Sequence, residues 1–160
     1  MKTTKLLGAV AALALLAACG SKTETAATGA GTATTAGSTI RPGSQEDLIS
    51  KAGSDRVFFD FDSSSVRADQ RPVLQGQAGW FAANPAVTAQ VEGHADERGT
   101  REYNLALGQR RANASRDVLV ANGVAGSRLS TISYGKDRPI ALGSDEEAWA
   151  QNRVAVTAVR

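Results

Sequence analysis

Cysteine and histidine are almost missing from this chain, with one of each among its 160 residues. A lone cysteine closes no disulfide within the chain, so no part of the fold can depend on one. The lone histidine, His94, with Asp96 two positions on, makes a poor metal set, because zinc sites draw on three or four ligands. Neither a metal nor a cofactor is expected. A surplus of one charge is lacking too. Lys and Arg number 18 against 16 Asp and Glu. Lys2 and Lys5 lie in the opening segment, so the remainder is balanced. Without a broad basic field, nucleic acid is not an expected partner. No apolar run is long enough to stay in a bilayer: Leu6 to Ala18 falls short of the roughly 20 residues a spanning helix needs. There is no internal repeat. Beyond residue 53 the chain is the size of one domain with one core.

The opening segment does have a pattern. A basic start is followed by the short apolar run and then by Leu16-Ala17-Ala18-Cys19. This resembles a bacterial lipobox, as against an ordinary signal peptide with a chance cysteine. The resemblance implies that residues 1–18 are a lipoprotein signal removed before Cys19. Cys19 would then carry a thioether-linked diacylglycerol and an amide-linked acyl chain. Several chains anchor far more firmly than one, since each buried methylene contributes about 0.8 kcal/mol. Gly20, rather than an acid, after the cysteine implies the outer membrane. Residues 20–53 are rich in Thr, Ala, Gly and Ser with few large apolar side chains, and read as a flexible tether. Such a tether reaches about 110 Å if fully extended and about 30–35 Å as a random coil. A chain beginning at Ser54 is therefore expected to keep its stability.

Residues 54–160 alternate strand and helix patterns. Arg56 to Phe61 reads as a strand, closed by the turn-forming Asp62-Ser63-Ser64-Ser65. Asp69 to Asn84 reads as a helix with Pro72 in its first turn and Asn84-Pro85 at its end. Trp80 and Phe81 are expected in the core. Thr88 to Glu92 forms a second strand. A long helix capped by Thr100 runs to Ala121 and closes at Asn122-Gly123. Leu129 to Tyr134 is a third strand, and a short helix from Asp145 to Asn152, started by Ser144, leads into a last strand over 154–159. The expected architecture is an α/β sandwich: β-α-β-α-β with a further short helix and last strand, one mixed sheet with helices on one face.

Chemistry concentrates in Gly93 to Arg111, G-H-A-D-E-R-G-T-R-E-Y-N-L-A-L-G-Q-R-R. On the long helix Leu107, Ala114 and Val118 mark the apolar stripe, and Arg111 falls inside it. Asn104, one heptad earlier, projects about 20° away. A guanidinium on a buried face needs an anion, and Asp96 lies in the loop just before the helix. Two readings stand at this point. Asp96 and Arg111 can pair with each other to pin the loop, or they can flank a polar site with Asn104. His94 reads as an organiser of the same loop, hydrogen-bonded at both ring nitrogens. Asp60 reads as a strand end with an Asx turn rather than half of an acid–base pair. A hydrolase using Asp96 and His94 is the competing class. No activated nucleophile, metal set or suitably spaced acid pair supports it.

G-H-A-D-E-R-G-T-x-E-Y-N-x-A-L-G-x-R-R-A resembles the signature of the OmpA-like domain, in the form found in the peptidoglycan-associated lipoproteins. With Val57-Phe58-Phe59-Asp60-Phe61-Asp62, Ser133-Tyr134-Gly135 and Gln151-Asn152-Arg153, the resemblance covers roughly residues 55–159. It implies a non-catalytic domain that holds peptidoglycan through the meso-diaminopimelate of its stem peptide. The contacts would fall on Asp62, Asp96, Asn104, Arg111 and Arg153. Asp96 would bind the ammonium and Arg111 the carboxylate, chemistry that suits a fixed anion and a fork-shaped cation. Arg153 departs from the family pattern, having one Arg where Asn-Arg-Arg is usual. The resemblance further implies a lipid-anchored protein of the outer membrane, facing the periplasm and partnering Tol system proteins such as TolB in envelope integrity and cell division. A wall-binding lipoprotein outside the Tol system is the alternative.

Overall fold

The computed structural model describes residues 40–160. The expected signal segment, Cys19 and the tether as far as residue 39 lie outside the described residues. Four helices and four strands follow in the order α1 (Gln45–Ala52), β1 (Arg56–Phe58), α2 (Arg71–Ala83), β2 (Ala89–His94), α3 (Arg101–Ala121), β3 (Leu129–Gly135), α4 (Glu146–Asn152) and β4 (Val154–Val159). The sheet order is β1-β4-β2-β3, with β2 and β3 parallel and β4 antiparallel to both β1 and β2. This is the mixed sheet of an OmpA-like α/β fold.

Side chains alternate across the strands. Val57, Ala89, Val91, Ala155 and Thr157 are buried on the face that α2 and α3 cover. Gln90, Glu92 and Val156, on the other face, are only partly buried. Leu74, Phe81, Ala112 and Leu119 complete the core from the helices. Trp80 and Phe81 are core residues, as expected, and pack edge to face. Thr100 caps α3 by accepting from the Tyr103 amide. The last helix is capped by Asp145, which accepts from the Ala148 amide at 2.8 Å, rather than by Ser144.

The tether ends earlier than residue 53. Ser44 caps α1 and Leu48 lies fully buried in the core. Asp47 accepts hydrogen bonds from the Gly43 amide at 3.0 Å and the Trp80 indole at 2.9 Å, and pairs with Lys51. Those partners, the Gly43 amide first, hold its carboxyl at about 2. Glu46-Asp47-Leu48-Ile49 reads as a short turn of helix in the sequence, and the structure extends it to the eight residues of α1. Burial of Leu48 alone is worth about 1.5–3 kcal/mol. The expectation that a chain starting at Ser54 keeps its stability is therefore overturned.

The first strand is also shorter than expected, ending at Phe58 instead of Phe61. The Asp60 and Ser63 carbonyls accept hydrogen bonds from the Arg111 guanidinium and not from a neighbouring strand. A contact across the fold has converted the end of the strand pattern into a loop.

Candidate functional site

Two backbones meet unusually closely where α3 leaves the sheet. A Cβ on Gly93 would overlap the Gly108 carbonyl oxygen, so β2 and α3 can touch here only because both positions are glycine. This approach sets the end of β2 and the loop after it against the first turns of α3. A cleft of about 180 Å³ opens there, lined by Phe61, Asp62, Asp96, Arg98, Gly99, Tyr103, Asn104, Leu107 and Arg111. Four of the five residues expected to contact a ligand, Asp62, Asp96, Asn104 and Arg111, are thus brought to one cleft.

Arg111 is fully buried on the core side of α3. Its Nε donates to the Ser63 carbonyl at 2.8 Å, Nη1 to the His94 carbonyl at 2.9 Å and Nη2 to the Asp60 carbonyl at 3.0 Å. The Phe59 ring lies 5.3 Å from its Cζ. Burial pulls the guanidinium down to about 10, against the nearby Asp96 charge, which favours protonation. It therefore remains a cation at neutral pH. Three of its five N–H groups are used, which leaves two for an anion in the cleft.

Asp96 does not pair with Arg111. Its carboxylate is held by the residue two positions on: Oδ1 accepts from the Arg98 amide and Nε, both at 3.2 Å, and Oδ2 from Arg98 Nη2 at 2.6 Å. Burial pushes its carboxyl up, but the Arg98 hydrogen bonds outweigh it and the net shift is downward. Asn104, also buried, donates from Nδ2 to the Arg98 carbonyl at 2.8 Å and so fixes the loop that carries Asp96. Asp62 sits in the left-handed region at φ 53°, a conformation Asp tolerates in tight turns. It accepts a hydrogen bond from the Tyr103 hydroxyl. This turn aims a carboxylate across the cleft mouth.

Arg153 is not among the lining residues. It lies behind Asp96, with Nη1 3.5 Å from Oδ2, Nε donating to the Phe59 carbonyl and Nη2 to Glu146 at 2.7 Å. It therefore backs Asp96 instead of lining the cleft with the other four, and its Nη1 is buried without a hydrogen-bond partner. His94 also differs from expectation. Its Nδ1 lies 3.0 Å from the Arg138 carbonyl, which can only accept, so Nδ1 carries the proton. Nε2 is buried without a partner. One nitrogen, not two, ties the loop after β3 to the end of β2. Burial lowers the His94 pKa, partly offset by that carbonyl.

Arg98, Phe61 and Tyr103 line the cleft but were not singled out by sequence reasoning. Arg98 had one signal, its place two residues beyond Asp96 in a turn. Phe61 had only its strand-forming type, and more than half of it is exposed at the rim. Among the described residues no cluster of His, Cys, Asp and Glu could hold a metal ion, and no helix is long and apolar enough to cross a membrane.

A model described as the OmpA family matches residues 58–153. The peptidoglycan-associated lipoprotein of Rhizobium meliloti is 54% identical over 142 residues, spanning 89% of this chain and 80% of that protein. That of Agrobacterium fabrum is 57% identical over 129 residues, spanning 81% and 68%. Among solved structures, the peptidoglycan-associated lipoprotein from Burkholderia pseudomallei is 42% identical, covers 71% of this chain and all of that one, and superposes with a TM-score of 0.67. The C-terminal domain of Helicobacter pylori MotB, 24% identical over 65% of this chain and 81% of that one, shares the fold with a TM-score of 0.61. The chain belongs to the OmpA family and, within it, to the peptidoglycan-associated lipoproteins.

Proposed function

We propose that this protein is a non-catalytic module that binds peptidoglycan through the diaminopimelate of its stem peptide. The observation that carries the reading is the cleft itself. It presents a carboxylate, Asp96, and a buried guanidinium with two free N–H groups, Arg111, which share one cavity without pairing with each other. An amino-acid end with an ammonium and a carboxylate matches that pair, each charge meeting a fixed opposite partner. Asp62 and Asn104 border the same space, and Arg153 supports Asp96 from behind. No serine, threonine, cysteine, lysine or histidine lines the cleft, which favours retention of the ligand over its cleavage.

The relatives' shared name and the lipobox-like Leu16-Ala17-Ala18-Cys19 support a lipid anchor at Cys19. The anchor would hold the domain at the outer membrane, facing the periplasm, with wall binding on one side and membrane on the other. Within that setting the protein would act in the Tol system, with TolB as a partner, in envelope integrity and cell division. The decisive test is incubation with purified sacculi and soluble muropeptides. Retention of intact muropeptide is expected, whereas cleavage or no retention would overturn the reading. Pull-down with Tol components tests the partner, and fatty-acid labelling of wild type against Cys19→Ser tests the anchor. Label persisting in Cys19→Ser would exclude lipidation there.

A further inference from the structure

The Asp96 carboxylate already faces two cations in the free protein. Oδ1 accepts from the Arg98 amide and Nε, while Oδ2 faces Arg98 Nη2 at 2.6 Å and Arg153 Nη1 at 3.5 Å. Its side chain is 5% exposed. An ammonium that comes to Asp96 therefore competes with these two arginines. Arg153 is the fixed one: its side chain is 9% exposed, and the Phe59 carbonyl and Glu146 hold it. Arg98 is placed differently. Its side chain is 32% exposed, and apart from Asp96 its guanidinium is held by two ring faces, Phe61 at 4.1 Å and Trp149 at 4.2 Å from Cζ. Stacking between rings restrains a guanidinium along their normal but tolerates sliding in their plane. Glu146 Oε2 lies 3.8 Å from Arg98 Nη1 and offers a second acid beside it.

We propose that Arg98 is a built-in surrogate for the ligand's ammonium: it occupies Asp96 in the free protein and slides within the Phe61–Trp149 slot towards Glu146 when a ligand cation takes its place. This rests on the reading of the cleft as the site for a diaminopimelate end. The device keeps Asp96 from standing as an unpaired buried charge when the cleft is empty. It also makes the site demand a cation. A ligand with a carboxylate alone can meet Arg111 but cannot displace Arg98 from Asp96. The apparent affinity for the true ligand is reduced by the fraction of molecules in which Arg98 is away from Asp96.

The test is calorimetric titration of the detergent-solubilised full chain with the tripeptide L-Ala-γ-D-Glu-meso-diaminopimelate. Arg98→Gln is expected to bind roughly tenfold more tightly than wild type, if Arg98 closes the site about nine-tenths of the time. Arg98→Lys, which keeps the charge but loses the fork, should fall between. Glu146→Gln removes the acid that receives Arg98 and should bind more weakly. Equal or weaker binding by a folded Arg98→Gln protein would overturn the proposal, because Arg98 would then be a ligand contact or a bystander. Should that variant fail to fold, the ¹⁵N–¹H signal of Arg98 Nε in wild type gives a second answer. The signal should shift on saturation with tripeptide as its bond to Asp96 breaks, and an unmoved signal also defeats the proposal. If neither wild type nor Arg98→Gln binds the tripeptide, it is the reading of the cleft that fails.

Discussion

The cleft holds two guanidiniums in contrasting ways. Arg111 is wholly buried and gives three N–H groups to backbone carbonyls from two segments, the loop after β1 and the end of β2. Arg98 is a third exposed and held by the Asp96 carboxylate, a longer contact to Glu146 and two ring faces. The first is part of the fold, since without it the buried His94 carbonyl and the partly buried Ser63 and Asp60 carbonyls lose its hydrogen bonds. The second can move at little expense, because every group that holds it remains partnered or solvated when it leaves. One pole of the site is therefore built in during folding, and the other is a side chain that yields.

The largest effect that tests this contrast is Arg111→Gln. It should destabilise the fold by about 3 kcal/mol or more, since hydrogen bonds from a charged donor contribute about 1.5–3 kcal/mol each. Thermal melts would show this directly, and Arg98→Gln should melt close to wild type. If the two variants melted alike, the division into a structural and a yielding arginine would be lost.

Asp96→Asn comes next. It keeps the shape and a hydrogen-bonding oxygen but removes the charge, so peptidoglycan binding should weaken by roughly tenfold to over a hundredfold. Stability should fall far less than for Arg111→Gln. Sacculus pull-down alongside a melt checks both, and full binding by the folded variant would remove Asp96 from the site.

A control remote from the cleft is removal of everything before Ser54. Loss of Leu48 burial and of the Asp47–Trp80 bond should lower the melting temperature on the order of 10 °C, with binding retained in the folded fraction. The same helix predicts an acid effect. Asp47 is depressed in the folded state, so its contribution is present above its ordinary value of 3.8 and is lost as pH falls through about 2.

The smallest effect is expected at His94, whose carbonyl serves Arg111. Its folded pKa lies below 6.5, so the unfolded chain binds the proton more readily. Stability should decline as pH falls from about 6.5 through the depressed value. Melts against pH would show this step in wild type and not in His94→Asn.

Much of this arrangement is legible in the linear sequence. The 3.6-residue period, the Thr100 cap and Asn122-Gly123 delimit α3 from within its own segment. The placing of Arg111 on its buried stripe, with Asn104 a heptad earlier, follows from helix geometry alone. Such features depend on residues a few positions apart. What only the tertiary structure decided is the allocation of donors between distant segments. Arg111 meets Asp60 across 51 positions and so ends β1 early. Arg153 meets Phe59 across 94 and is thereby held behind Asp96, off the cleft lining. Leu48 and Ile49 stand side by side in a mostly polar run, and Leu48 becomes core because α2 lies against α1, while Ile49 stays exposed. Asp96 had two arginines in reach of its helix and loop, and sequence order could not say which would hold it. A guanidinium has five donors and several competing acceptors, and the three-dimensional placing of those acceptors settles which bonds are made.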